Sequence, residues 1–420
     1  MLSILIIDDT KEKRDLLKNT LCEMFEEISI EEIDEAYSTN SGQQAIAKKQ
    51  YDLVLLDLFI PSGKNDQPNP KNAANFLELL LEFDEVHMPT HILGITRMNL
   101  DEIPENQKKV FDNNLWALLK YADNERGWQE KLRLKVAYLI RSKKQLMSNP
   151  SYDYDVAIFN ALDNPENKWV INIFGKDNWK RIEHPIDKTC NYYVTKCVTS
   201  SGRTIRIVTC TIDIMGASAA ATVVSKMIYN FRPKYLFMTG IAAAANSDGG
   251  RINIGDIMIA TEAIDKANGK FSKENGLLKF VPDPKSFHTD PAFLSIIDDV
   301  QKDKELMYKI HSQYPLEDFA PRTDLNLHKG QNGTVPAVVA NVDVVNEMMF
   351  HNRYLQGIEM EAYGLYLAAC YSVEPRPKAF ASIKSVSDFA DEHKENKYRD
   401  YAAYTSSAFL YYLINNKLEY

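Results

Sequence analysis

The chain has 420 residues, of which 45% are hydrophobic and 25% charged, enough for two domains that each bury a core. Its net charge of −9 argues against a general nucleic-acid binder, because phosphate contacts need basic patches. No apolar run reaches the ~18 residues of a membrane span, the opening MLSILIIDD lacks the basic flank of a signal peptide, and five cysteines without CxxC spacing read as reduced thiols. The expectation is a cytoplasmic protein with no membrane and no nucleic-acid partner.

Residues 2–7 form a buried-strand pattern, and Leu16, Leu17, Leu21 and Phe25 follow at helical spacing. A strand near 31–36, a helix near 41–49 and strands at 52–56 and 92–95 continue the alternation, which argues for a parallel α/β sheet. The polar stretch 61–72 reads as a long loop. A charged helix over 128–147, with Leu132, Val136, Leu139 and Ile140 in phase, runs to the breaker Ser148, Asn149, Pro150. The domain boundary is placed there, giving a first domain 1–122, a linker helix 123–150 and a second domain 151–420. The helix is expected as a stiff connector or a dimerising element. Strands near 156–159, 170–174, 193–199, 204–210, 234–239, 256–260, 337–341 and 378–384, with helices at 217–230, 362–371 and 399–414, make the second domain α/β as well.

Asp8 and Asp9 close the first strand and Asp57 the third, Thr96 follows the fourth, and Lys120 lies in LWALLKY. Strand C-termini of an open parallel sheet form the ligand crevice, so these groups converge. Clustered acids hold a hard cation such as Mg²⁺ through oxygens, a carboxylate is a competent covalent acceptor, and Lys and Thr bind phosphoryl oxygens. One acid at a strand end is usually a turn former; this set, in this order, points to phosphoryl transfer. Segment 1–122 resembles the receiver domain of two-component response regulators, a doubly wound, flavodoxin-like fold. The resemblance implies that Asp57 is the phosphoacceptor, that Asp8, Asp9 and Asp57 hold Mg²⁺, and that Thr96 and Lys120 form the switch. A sensor histidine kinase or another phosphodonor would be the partner.

Four stretches of the second half carry chemistry. VAIFNALDNPE (156–166) runs from a strand into an acidic turn ending at Glu166. IDIMGASAAATVVSKMI (212–228) opens a helix with Gly216, Ala217 and Ser218, an anion or polarised-water site or simply tight packing. In YLFMTGIAAAANSDG (235–249), Thr239, Gly240 and Ile241 start a small-residue loop that lets a flat ring lie against backbone, although ordinary packing explains it equally well. GIEMEAYG holds Met360 and Glu361, and IKSVSDFADE holds Asp388.

Together these stretches, over roughly 152–416, resemble the purine nucleoside phosphorylase/nucleosidase superfamily, and within it the methylthioadenosine/S-adenosylhomocysteine nucleosidases. The resemblance implies that Asp388 protonates or hydrogen-bonds purine N7, that Glu361 accepts from ribose hydroxyls, and that Met360 packs under the sugar. Glu166, one residue further along than the family spacing, would position the attacking water. Gly216, Ser218, Thr239, Gly240 and Ile241 would line the substrate, and no cofactor is required for the cleavage. Departure of the purine leaves an oxocarbenium-like sugar, which carboxylates stabilise. No arginine set for inorganic phosphate stands out, although Arg203 and Arg251 remain candidates, so hydrolysis is favoured over phosphorolysis. Lys168, Lys176, Lys180, Arg181 and Arg203 are candidates for a substrate polyphosphate.

The pairing of the two domains resembles the Detocs-type effectors of phage-defence two-component systems, which degrade adenine nucleotides. It implies phosphorylation-activated hydrolysis of ATP to adenine and ribose 5-triphosphate by a homo-oligomer. The alternatives are a nucleosidase or phosphorylase acting on methylthioadenosine, AMP or purine nucleosides, and a catalytically inactive nucleotide sensor.

Overall fold

The computed structural model describes residues 2–82, 87–114, 116–122, 127–148, 151–212, 214–245, 252–316, 320–321, 323–392 and 396–420. The chain forms two compact units, Met1–Asn149 and Pro150–Tyr420. No helix among the described residues is long and apolar enough to cross a membrane.

The first unit alternates β1 (Ile4–Ile7), α1 (Lys11–Met24), β2 (Ile33–Ala36), α2 (Thr39–Lys48), β3 (Leu53–Asp57), α3 (Pro70–Glu82), β4 (His91–Thr96), α4 (Glu105–Asn113), β5 (Ala117–Lys120) and α5 (Gly127–Ser148). The strands are all parallel in the order β2-β1-β3-β4-β5. This is the doubly wound order whose crevice lies between β1 and β3. Leu17 and Leu21 of α1 cover one face with α5, and Ile46, Phe76, Leu77 and Phe111 cover the other from α2, α3 and α4.

Two expectations change here. The 61–72 loop is shorter, because Pro70 opens α3, where a missing N–H costs nothing. The helix expected as a connector belongs to the first core: Trp128, Leu132, Val136 and Leu139 are buried against the sheet. Such side chains contribute roughly 1.5–3 kcal/mol each, which fixes α5 to its own unit.

The second unit continues with β6 (Tyr154–Asn160), α6 (Lys168–Ile173), β7 (Lys180–Ile182), β8 (Asn191–Val198), β9 (Thr204–Thr211), α7 (Ala217–Phe231), β10 (Pro233–Ala244) and β11 (Ile257–Asp265). A hairpin of β12 (Gly269–Glu274) and β13 (Leu277–Pro282) precedes β14 (Lys285–His288), α8 (Pro291–Gln301), α9 (Lys304–Ser312), β15 (Leu327–Thr334), α10 (Val342–His351), β16 (Leu355–Glu359), α11 (Ala362–Tyr371), β17 (Ala379–Asp388) and α12 (Arg399–Asn416).

Strand β10 is the hub of this sheet. It pairs with β6 and β17 in parallel and, at its far end, with β16. Because β17 also pairs β11, β11 pairs β15 and β15 pairs β16, those strands close into a ring. Helices α6, α8, α9 and α12 pack one side, and α7 and α11 the other. The 170–174 run is helical rather than extended, and 337–341 lies beyond β15 in a loop.

All five cysteines are free thiols. Tyr192 of β8 faces Cys210 of β9, which puts Cys190 and Cys210 on one face of the ladder. Lys226 Nζ lies 3.9 Å from the Cys190 sulfur. The neighbouring Cys210 thiol, above all, lowers the Cys190 thiol to about 6, whereas burial raises Cys197 and Cys370. A thiol lowered in this way is mostly thiolate at pH 7 and protonated below pH 6. Iodoacetamide at pH 7 is therefore expected to label Cys190 first, with a rate that climbs through about pH 6 and flattens by about pH 7.5. Peptide mapping with Cys190→Ser as control checks it; a rate still climbing at pH 9 contradicts it.

Candidate active site

Strand β16 ends at Glu359, and Glu361 opens α11. The Glu359 carboxylate turns inward and caps the helix from beneath. It accepts from the N–H groups of Glu361 (2.8 Å) and Ala362 (2.7 Å) and from Thr334 Oγ1 (2.5 Å). Burial and, next, the Glu361 carboxylate push its carboxyl up to about 7. A Cβ on Gly364 would stand 2.0 Å from the Ala217 carbonyl oxygen. The glycine thus lets the start of α7 close on α11, and the Gly216 N–H donates to Glu361 Oε1 at 3.1 Å.

Beyond β6 the chain makes an irregular turn over 163–167, with Asn164 outside helical φ/ψ. That turn brings Glu166, which is buried, back beneath the strand ends. Glu166 Oε2 accepts from the N–H groups of Ala161 (2.9 Å) and Leu162 (3.0 Å), and Oε1 from that of Ile241 (2.9 Å). Three backbone donors hold a buried carboxylate in one orientation. A Cβ on Gly240, whose φ is +145°, would lie 2.0 Å from Glu166 Oε1, so only glycine fits.

Lys384 of β17 is buried, with Nζ 3.5 Å from Glu166 Oε1 and 3.6 Å from Glu361 Oε2. Burial alone would lower its pKa, but Glu166, Glu361 and Glu359 outweigh it and hold the ammonium charged. Asp388 ends the same strand; Oδ2 accepts from Ser387 Oγ (2.8 Å) and Oδ1 from the Ala390 N–H (3.1 Å). Glu166, Ile241, Met360, Glu361 and Asp388 line a single cavity of about 310 Å³, together with Glu359, Val335, Val339 and Arg399. Acid groups thus share a hollow with apolar walls, which suits a flat, polar-edged ring joined to a polyol.

Some expected residues fall elsewhere. Thr239 is buried and receives both Asn160 amide contacts, at 2.8 and 3.0 Å. Ser218 is exposed and opens on a neighbouring hollow beside Tyr363. Arg203 is a correction: it precedes β9 and donates to the Tyr420 carbonyl. Because β9 runs parallel to β6, its start lies at the sheet edge opposite Glu166. Lys168 pairs with Asp400, Arg181 donates to Asn191, Lys176 and Lys180 are not among the cavity's walls, and Arg251 lies outside the described residues. Sequence reasoning missed Glu359, Lys384 and Arg399. A lysine inside the buried strand IKSVSD is the one signal that could have found Lys384.

In the first unit, ligand oxygens of Asp8, Asp9 and Asp57 lie within 4.8 Å of one another, an all-oxygen set that fits a hard divalent cation. Lys13 of α1 reaches Asp8 Oδ2 at 2.6 Å and Asp57 Oδ2 at 3.0 Å. Burial pushes the Asp57 carboxyl up to about 6 even with Lys13 pulling it down. Thr96 ends β4, buried, and accepts from the Met98 N–H at 3.1 Å. Lys120, beside Thr96 in register, lines a separate hollow with Asn99 and Asp101. Among the described residues the ammonium within ion-pair distance of Asp8 and Asp57 is that of Lys13.

The family described as the phosphorylase superfamily matches residues 171–409, more than half of the chain, and the chain belongs to that superfamily. An uncharacterized protein of Sinorhizobium fredii, y4jS, is 25% identical over 420 residues, covering 98% of each chain. Two solved structures are similar to the second unit. Futalosine hydrolase of Helicobacter pylori is 16% identical with a TM-score of 0.47, covering 62% of this chain and 97% of its own. S-adenosylhomocysteine nucleosidase of Streptococcus pyogenes is 16% identical with a TM-score of 0.48, covering 64% of this chain and 98% of its own.

Proposed function

We propose that the second unit hydrolyses the N-glycosidic bond of a purine nucleoside or nucleotide, and that the first unit is a receiver that switches it on through phosphorylation of Asp57. The observation that carries the first part is the shared cavity of Glu166, Glu361 and Asp388, with Lys384 between the first two. Asp388 donates to purine N7 and makes the base a better leaving group. Glu361 accepts from ribose hydroxyls, Met360 packs under the sugar, and the carboxylates steady the oxocarbenium-like sugar. Glu166, held by three N–H groups, positions the attacking water. Water is favoured over inorganic phosphate as the acceptor because no arginine set for phosphate stands out in the sequence.

The acidic cluster of the first unit supports the switch. Asp8, Asp9 and Asp57 would hold Mg²⁺, which neutralises charge as a phosphoryl group reaches Asp57. The donor would be a sensor histidine kinase or a small phosphodonor. The substrate we favour is ATP, giving adenine and ribose 5-triphosphate in anti-phage defence, with the chain acting as a homo-oligomer. A cell that keeps such an enzyme needs it silent at rest, and a charge added at Asp57 biases a two-state element.

The test is product analysis with ATP, AMP, adenosine and methylthioadenosine, with and without phosphate and acetyl phosphate. We expect free purine and the unphosphorylated-at-C1 sugar, rising at least about fivefold with phosphodonor in wild type and unresponsive in Asp57→Ala. Ribose 1-phosphate would replace hydrolysis by phosphorolysis. Equal turnover in wild type and Asp57→Ala removes the switch, and no purine from any substrate leaves a nucleotide sensor.

A further inference from the structure

We infer that Arg399 receives the 5′-phosphate of the substrate, so that the cavity selects 5′-phosphorylated purine nucleosides over free ones; this rests on the glycosidic reading above. The walls are strongly acidic, with Glu166, Glu359, Glu361 and Asp388 among them. Like charges facing one another across a cavity repel strongly where water is scarce, so a phosphate enters only if a cation meets it.

Among the described residues two cations are near. Lys384 is enclosed between Glu166 and Glu361, and its charge is already matched. Arg399 lines the cavity and is half-buried. Among the described residues its guanidinium has no ion pair and no hydrogen bond. The adjacent acid that might have matched it, Asp400, is committed to Lys168 at 3.2 Å and to the Tyr314 hydroxyl at 3.1 Å. A guanidinium offers a planar fork of donors that fits a phosphate through two parallel bonds.

Position agrees with that role. Arg399 is the first residue of α12, and Ser406, seven residues on, accepts from the Gly240 N–H at 3.2 Å. At helical rise the two stand ~10 Å apart along the axis. Glu166 abuts Gly240, so the arginine marks the outer part of the cavity and the carboxylates the inner part. In a nucleotide whose base meets Asp388 and whose ribose meets Glu361, the 5′ group is the portion left to extend outward. One arginine suits the phosphate nearest the ribose, a group that AMP, ADP and ATP share.

Arg399→Ala and Arg399→Lys, both phosphodonor-treated, are compared with wild type on AMP, ATP, adenosine and methylthioadenosine. The ratio of kcat/KM for nucleotide over nucleoside is expected to fall about 10- to 100-fold in the alanine variant, mostly through KM, with partial recovery in the lysine variant. Calorimetric binding of AMP against adenosine reads the same contrast without turnover. An unchanged ratio in both measurements, or equal loss on nucleosides and nucleotides, overturns the inference. Wild type that releases no purine, yet binds AMP less tightly once Arg399 is removed, overturns the glycosidic reading and keeps the phosphate contact.

Discussion

Asp388→Asn is expected to cut purine release by about 10²–10⁴-fold in kcat while the second unit melts as in wild type. The side chain ends β17, where Ser387 Oγ and the Ala390 N–H hold its two oxygens. Asparagine keeps the shape, the carbonyl that accepts from Ala390 and the fit to the cavity. What it loses is the ability to pass a proton to a leaving ring. Substrate affinity should change far less than rate, so single-turnover assays and calorimetry separate the two. Retention of a third or more of the wild-type rate would mean that another group protonates the base.

Lys384→Met carries the largest expected effect on stability. Methionine fills much the same volume, so packing survives, but the carboxylates of Glu166, Glu361 and Glu359 then share a buried space without their cation. Removing one partner of a buried pair costs about 3–5 kcal/mol, and here several acids lose the same partner. The sign of the pH dependence follows from Glu359, whose carboxyl already stands at about 7. Without Lys384, which pulls it down, that carboxyl stands higher still and keeps its proton past pH 7, so the deficit against wild type is smallest below pH 7 and widens above it. Urea denaturation at pH 6 and 8 checks both statements; a variant as stable as wild type at pH 8 would show that the acids do not depend on Lys384.

The elements legible in the sequence were those whose pattern and burial agree. The run ILII is β1, and Ala220, Val223, Val224, Met227 and Ile228 are the buried stripe of α7. The misses have physical reasons. Residues 170–174, VINIF, are rich in β-branched and aromatic side chains like a strand, yet Trp169 and Val170 are buried on adjacent positions of α6, because the chain must turn back at once after Glu166. Strand β15, LHKGQNGT, has almost no strand propensity. It is extended because β11 and β16 flank it on both sides, which no local pattern reveals. Glu361 and Asp388 were readable because each sits where a strand stops. Lys384 was not, since its role appears only when the turn after β6, the end of β16 and the start of α11 bring their acids to it. Arg203 failed for a related reason: a residue beside a strand does not say which edge of the sheet it will face.

The void at residue 240 has a practical meaning for anyone altering this enzyme. The carboxylate at 166 occupies the volume that a side chain at 240 would need, so the two positions form one unit of variation. Diversifying 240 alone meets that carboxylate, and shortening 166 alongside it leaves the positive φ that glycine alone adopts readily and loses the group assigned to the water, so both positions are best held fixed.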